Sequence, residues 1–110
     1  MEEIEVGDYV RTKNGVIDKV DALYGMIENT VHLENQKWFD TKNIVKHSKQ
    51  LIDLIEVGDF VNGEKIVEID AYKDWIDIGS EILFEGDIKT ILTKEKYMAN
   101  CYKVGGKQWD

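Results

Sequence analysis

The chain has no proline, a single cysteine, a single arginine and only two serines and two histidines, and each scarcity removes a class of explanation. One cysteine, Cys101, cannot form an internal disulfide, so the chain is not a disulfide-stapled scaffold. A small buried thiol is the plain expectation for Cys101, with a reactive thiol as the second reading. Cys101, His32 and His47 exhaust the soft ligands, and none stands at a zinc-like spacing from another, so no metal and no cofactor are expected. The stretch from Asp70 to Trp75 does not supply the alternating oxygens, glycine and closing glutamate of a calcium loop. Neither Ser48 nor Ser80 sits in a nucleophile-elbow context, and no phosphate-binding or dinucleotide fingerprint is present. Gly105-Gly106 lies near the end with no helix after it, which suits a tail. No apolar run approaches the roughly 20 residues that span a bilayer. The opening Met-Glu-Glu-Ile-Glu lacks the features of a signal peptide, so a cytoplasmic location is expected.

What is present is a core-forming but strongly acidic chain. Its 110 residues are 43% hydrophobic, enough for one compact unit or two very small ones. The net charge of -8 is uneven: residues 1–63 carry -5, residues 64–87 carry -6 and residues 88–110 carry +3. General affinity for phosphates needs clustered Lys and Arg, so this balance argues against nucleic acid and for a basic protein surface. Thirteen lysines against one arginine, thirteen isoleucines and no proline match translation from an A+T-rich genome.

One internal echo organises the chain. Ile4-Glu5-Val6-Gly7-Asp8-Tyr9-Val10 returns 51 residues later as Ile55-Glu56-Val57-Gly58-Asp59-Phe60-Val61. Each copy leads to Asn-Gly, at Asn14-Gly15 and Asn62-Gly63, and then to a β-branched run, which is a strong hairpin signal. The echo predicts two related β units, 1–50 and 51–110. In the first, a hairpin over 8–21 precedes a strand at Thr30–Glu34, another at 37–39, a 3₁₀ turn at 40–43 and a closing strand at 44–47. In the second, Lys65–Ala71 reads as one strand with Val67, Ile69 and Ala71 on one face. Strands at Trp75–Ile78, Glu81–Phe84 and Ile88–Leu92 follow, then a short helix over about 94–100 capped by Thr93, and a last strand at 101–104. The apolar residues of segment 47–54 should pack, so the halves are expected to touch.

Val6-Gly7-Asp8-Tyr9-Val10, a Gly-containing hairpin, and Lys37-Trp38-Phe39-Asp40 before a 3₁₀-like turn and final strand resemble an SH3-like small barrel of the KOW or Tudor kind. Val57-Gly58-Asp59-Phe60-Val61 opens a looser second copy. The resemblance implies a mainly β fold of two SH3-like barrels packed together, with one short C-terminal helix and with Tyr9 and Phe60 in the cores. The overall pattern is also similar to small uncharacterised proteins of phages infecting low-GC bacteria. That similarity implies inhibition of host machinery, including anti-CRISPR action.

The candidate interaction residues are Glu68, Asp70, Tyr72, Asp74, Trp75, Asp77 and Trp38. Glu68 and Asp70 alternate with apolar residues and so share a strand face. A row of carboxylates can imitate phosphate spacing and occupy a basic groove, or it can simply keep a small protein soluble. Tyr72 and Trp75 beside acids resemble an interface hot spot, while the plain expectation for Trp75 is that it plugs the seam between the halves. Trp38 and Phe39 are adjacent on a strand, so one points outward. The expectation is a non-catalytic acidic module that binds a basic protein surface, such as that of a host nuclease complex. Alternatives are a self-associating phage structural protein or, less favoured by charge, a nucleic-acid binder using Lys89, Lys94, Lys96, Lys103 and Lys107.

Overall fold

A computed structural model describes residues 3–23, 30–35 and 38–101. The described residues are mainly β, with one α-helix, and they divide into two compact units, Met1–Ile55 and Glu56–Asp110.

The first unit is an antiparallel meander whose last strand returns to its first. Strands β1 (Tyr9–Thr12), β2 (Ile17–Leu23), β3 (Thr30–Leu33) and β4 (Trp38–Asp40) pair in succession. A 3₁₀ turn at Thr41–Asn43, capped by the Asp40 carboxylate on the Lys42 N–H, then turns the chain into β5 (Ile44–Ser48). β5 pairs with the free side of β1, giving the sheet order β4-β3-β2-β1-β5. Val10, Val20, Val31, Leu33 and Ile44 form the buried core with Ile4, and Phe39 packs against it. Two ladder irregularities, at Arg11/Thr12 and between Val20 and Ala22, bend the sheet.

The second unit repeats this order with shorter pieces. β6 (Phe60–Val61) pairs with β7 (Glu64–Lys65) across Asn62-Gly63, where positive φ at both residues makes the tight turn. β8 (Glu68–Ile69), β9 (Ile76–Asp77) and β10 (Ile82–Leu83) form a three-stranded sheet. A 3₁₀ turn at Glu85–Asp87 leads to β11 (Ile91–Leu92), which pairs with β6 as β5 pairs with β1. Among the described residues no sheet closes on itself.

The echoed segments become the same turn twice. Gly7 and Gly58 take φ of +94° and +99°, where a side chain is strained, and Asp8 and Asp59 each return an N–H to the Glu three residues earlier. Each aspartate carboxylate also accepts that glutamate's N–H, at 3.0 Å from Glu5 and 2.8 Å from Glu56.

Several sequence expectations are corrected. Lys65–Ala71 is not one strand: it breaks at 66–67, and Ile66 is the buried residue while Val67 and Ala71 are exposed. Tyr9 and Phe60 are only half-buried; the core positions are the following valines, Val10 and Val61, because strand alternation sends neighbours to opposite faces. Tyr9 instead lies under the Lys19 ammonium, 5.5 Å from the ring centre, and Phe60 stacks on Tyr97 of the helix α1 (Lys94–Asn100). The segment after β5 belongs to the first unit, where a 3₁₀ turn at Leu51–Leu54 packs on β1 and β5 and buries Ile52 and Leu54. Arg11, 1% exposed, donates from Nη1 to the Leu54 carbonyl at 3.0 Å and holds this turn down. Cys101 is half-buried, while most of the expected last strand and the glycine tail lie outside the described residues.

Candidate functional site

The acidic candidates gather on the β8-β9-β10 sheet of the second unit. Ile69, Ile76 and Leu83 stand in one row across it, and of these Ile76 and Leu83 are fully buried. The next row must therefore face outward, and it consists of Glu68, Asp77 and Ile82. Glu68 and Asp77 are direct cross-strand partners, an arrangement that destabilises a sheet when both are charged. Among the described residues no lysine or arginine forms an ion pair with either. Asp77 is oriented by the Gly79 N–H, which donates to its Oδ1 at 2.7 Å.

The hairpin joining β8 to β9 is internally tied. The Asp70 N–H donates to the Trp75 carbonyl at 3.0 Å, the Lys73 N–H to the Asp70 carbonyl at 2.9 Å, and the Asp74 N–H to Asp70 Oδ2 at 3.1 Å. Lys73 adopts φ of +62°, a left-handed conformation uncommon for a side-chain-bearing residue. These bonds present Tyr72 at the tip, 85% exposed, while Trp75 is half-buried at the base. Asp70 thus lies in the turn rather than in the strand with Glu68.

Sequence reasoning missed Ile82 and Phe84, which are 46% and 56% exposed on either side of buried Leu83. The signal was present: three consecutive apolar residues in an extended segment cannot all face the core. Trp38 belongs to the first unit, where it is exposed and packs edge-on against His32 at 5.1 Å. The ladder shift at Asp21 brings its Oδ1 to 2.6 Å from His32 Nδ1, so Trp38, His32 and Asp21 form their own small surface group.

Adjacent His47 and Ser48 are sent apart by strand alternation. His47 Nδ1 lies 3.0 Å from Asp8 Oδ2, whereas the Ser48 hydroxyl donates to Asp53 at 2.6 Å. The other serine, Ser80, donates to Glu64. Burial pushes the Asp8 carboxyl upward, but hydrogen bonds from Lys49, the Glu5 N–H and His47 outweigh it and hold the group below its ordinary value. The partner effect on Lys49 is reciprocal: its bond to Asp8 raises the ammonium above its usual range. In the second unit Lys94 is raised chiefly by its bond to Glu56, at 2.7 Å.

Among the described residues no group of three or more His, Cys, Asp or Glu could hold a metal ion, and no helix is long and apolar enough to cross a membrane. No family model, curated protein or solved structure matches the chain.

Proposed function

We propose that the chain is a non-catalytic, acidic protein-binding module made of two SH3-like open barrels, and that it binds a basic protein surface through the outer face of β8-β9-β10. The meander order with a 3₁₀ turn before the strand that returns to β1 supports the barrel reading. The observation that carries the binding reading is the pair Glu68 and Asp77, set directly opposite each other without a cation of their own among the described residues. Such a pair works against the sheet, and a basic partner would remove the repulsion. Exposed Ile82 and Phe84 beside it supply the apolar contact that charges alone lack. The A+T-like composition supports a phage of a low-GC bacterium as the source and a host defence complex as the basic partner.

The test is capture of partners from a low-GC bacterial lysate carrying CRISPR systems, with a Glu68→Lys/Asp77→Lys variant run in parallel. A stoichiometric basic partner lost in the variant, with an on-rate that falls steeply with salt, is expected. Equal recovery by both proteins overturns the assignment to this face. Recovery of the bait alone, in a multimeric form, favours the self-associating structural role.

A further inference from the structure

We infer that Asn62 is a site of spontaneous self-modification, where the Gly63 nitrogen displaces ammonia from the Asn62 side chain and turns a structural clamp into an acid. Asn62 is exposed in the turn between β6 and β7, yet its carboxamide is the hub that holds segment 87–90. Nδ2 donates to the Asp87 carbonyl at 2.9 Å, and Oδ1 accepts the N–H groups of Lys89 and Thr90 at 2.7 and 3.1 Å. Two features of this arrangement favour attack on the carboxamide. The two N–H groups on Oδ1 polarise the Cγ–Oδ1 bond and already face the oxygen that turns anionic when a nucleophile adds. The nucleophile, the Gly63 nitrogen, is accessible: Gly63 is exposed, the space beside its Cα is open, and its N–H makes no hydrogen bond among the described residues. The first unit holds the same Asn-Gly pair and lacks both features. There the Gly15 N–H donates to the Thr12 carbonyl at 3.0 Å, Gly15 is buried, and no N–H among the described residues is bonded to the Asn14 side chain.

The step balances with water alone. A bond forms between Gly63 N and Asn62 Cγ, the Cγ–Nδ2 bond breaks, and the Gly63 proton leaves with Nδ2 as ammonia. Water then opens the cyclic imide at either carbonyl, giving aspartate or isoaspartate. Either product lacks the Nδ2–H donor to the Asp87 carbonyl and adds a negative charge. Isoaspartate also lengthens the main chain inside a tight turn, where Val61 and Glu64 are direct partners. Segment 87–90 is thereby released from the turn.

The experiment incubates the full chain in mildly alkaline buffer, folded and in concentrated urea, and follows acid formation at each asparagine by peptide-mapping mass spectrometry. In the folded chain Asn62 is expected to convert about tenfold faster than Asn14, a small part of what oxyanion donors contribute in an enzyme. In urea, where neither turn exists, the two are expected to convert at similar rates. Hydrogen exchange at the Lys89 and Thr90 amides of the folded chain should rise in step with conversion of Asn62. Equal rates in the folded chain, or faster conversion at Asn14, overturn the inference. Conversion of both asparagines in urea and of neither in the folded chain overturns it too, because the clamp then protects Asn62. A preference for Asn62 that persists in urea overturns the role given to the fold and assigns it to neighbouring residues. Unchanged exchange in the converted chain overturns the release of segment 87–90.

Discussion

The two units open with the same five residues and close with different helices. In each, the glycine bends the chain and the aspartate ties the turn to the strand that follows, through N–H bonds from Val20 to Asp8 and from Ile66 to Asp59, both 2.8 Å. The second carboxylate oxygen is used differently. Asp8 reaches side chains: Lys49 Nζ at 2.8 Å on one oxygen, with His47 on the other. Asp59 reaches the backbone: it accepts the Lys94 N–H at 2.9 Å and so secures the first residue of α1, while Thr93 caps the Lys96 N–H. The closing segments differ in depth as well. The 3₁₀ turn at Leu51–Leu54 buries two residues, whereas α1 buries none. The first unit is thus closed by hydrophobic burial and ionisable side chains, the second by a backbone cap beside the Lys94–Glu56 ion pair. One turn sequence supports both because its fixed requirement is a carboxylate beside a left-handed glycine, and anything that donates a proton can complete it.

The largest test of this contrast is truncation of the closing segments. Leu54→Ala is expected to destabilise the chain by about 2–5 kcal/mol, the usual range for a fully buried leucine. Tyr97→Ala, which removes a half-exposed ring stacked on Phe60, should lose only about 0.5–1.5 kcal/mol from the stacking. Urea denaturation followed by circular dichroism measures both, and equal losses would erase the distinction. Next in size is Asp59→Ala, which orphans the N–H groups of Glu56 and Lys94 and should lose about 2–4 kcal/mol. Hydrogen exchange at the Lys94 amide reports whether the loss starts at the helix.

A third test uses pH. Asp8 is depressed below its ordinary 3.8, so its contribution is fully present above that pH and is lost as pH falls through the lower, folded value. Lys49→Met should raise the Asp8 pKa and move this loss to higher pH, read directly by carboxyl-carbon NMR titration. An unchanged Asp8 titration would show that the Glu5 N–H and His47 suffice. The smallest effect is a gain. Glu68→Gln should stabilise the second unit by about 0.2–1 kcal/mol through relief of the like-charge pair, while weakening any basic partner. A variant more stable and equally good at binding would separate the charge pair from function.

Much of this was legible in the sequence. The repeated heptapeptide and its Asn-Gly sequels marked two β units, and the 3₁₀ turn and Thr93-capped helix were readable from local chemistry. What escaped depended on tertiary context. Ile52 and Leu54 could have packed toward either side, and it is the packing of their turn on β1 and β5, with the buried Arg11 bond to the Leu54 carbonyl, that assigns them to the first unit. The break at Ile66–Val67 hides inside a run that fits a continuous strand, because either of two adjacent β-branched residues satisfies the period. On the candidate face the acids were visible, but their pairing register was not, so the opposition of Glu68 and Asp77 and the outward turn of Phe84 came only with the fold.

A lysine that follows the last described strand of each unit ties that unit back to its opening turn. Lys49 reaches the Val6 carbonyl and the Asp8 and Glu5 carboxylates, and Lys94 reaches Glu56 and donates its amide to Asp59. In each unit a lysine after the returning strand is therefore tied to the turn that opens the unit. Only a few residues separate Lys49 from the second Ile-Glu-Val-Gly-Asp, and they form the closing turn of the first unit. The clasp thus lets each copy of the repeated segment close on residues of its own unit.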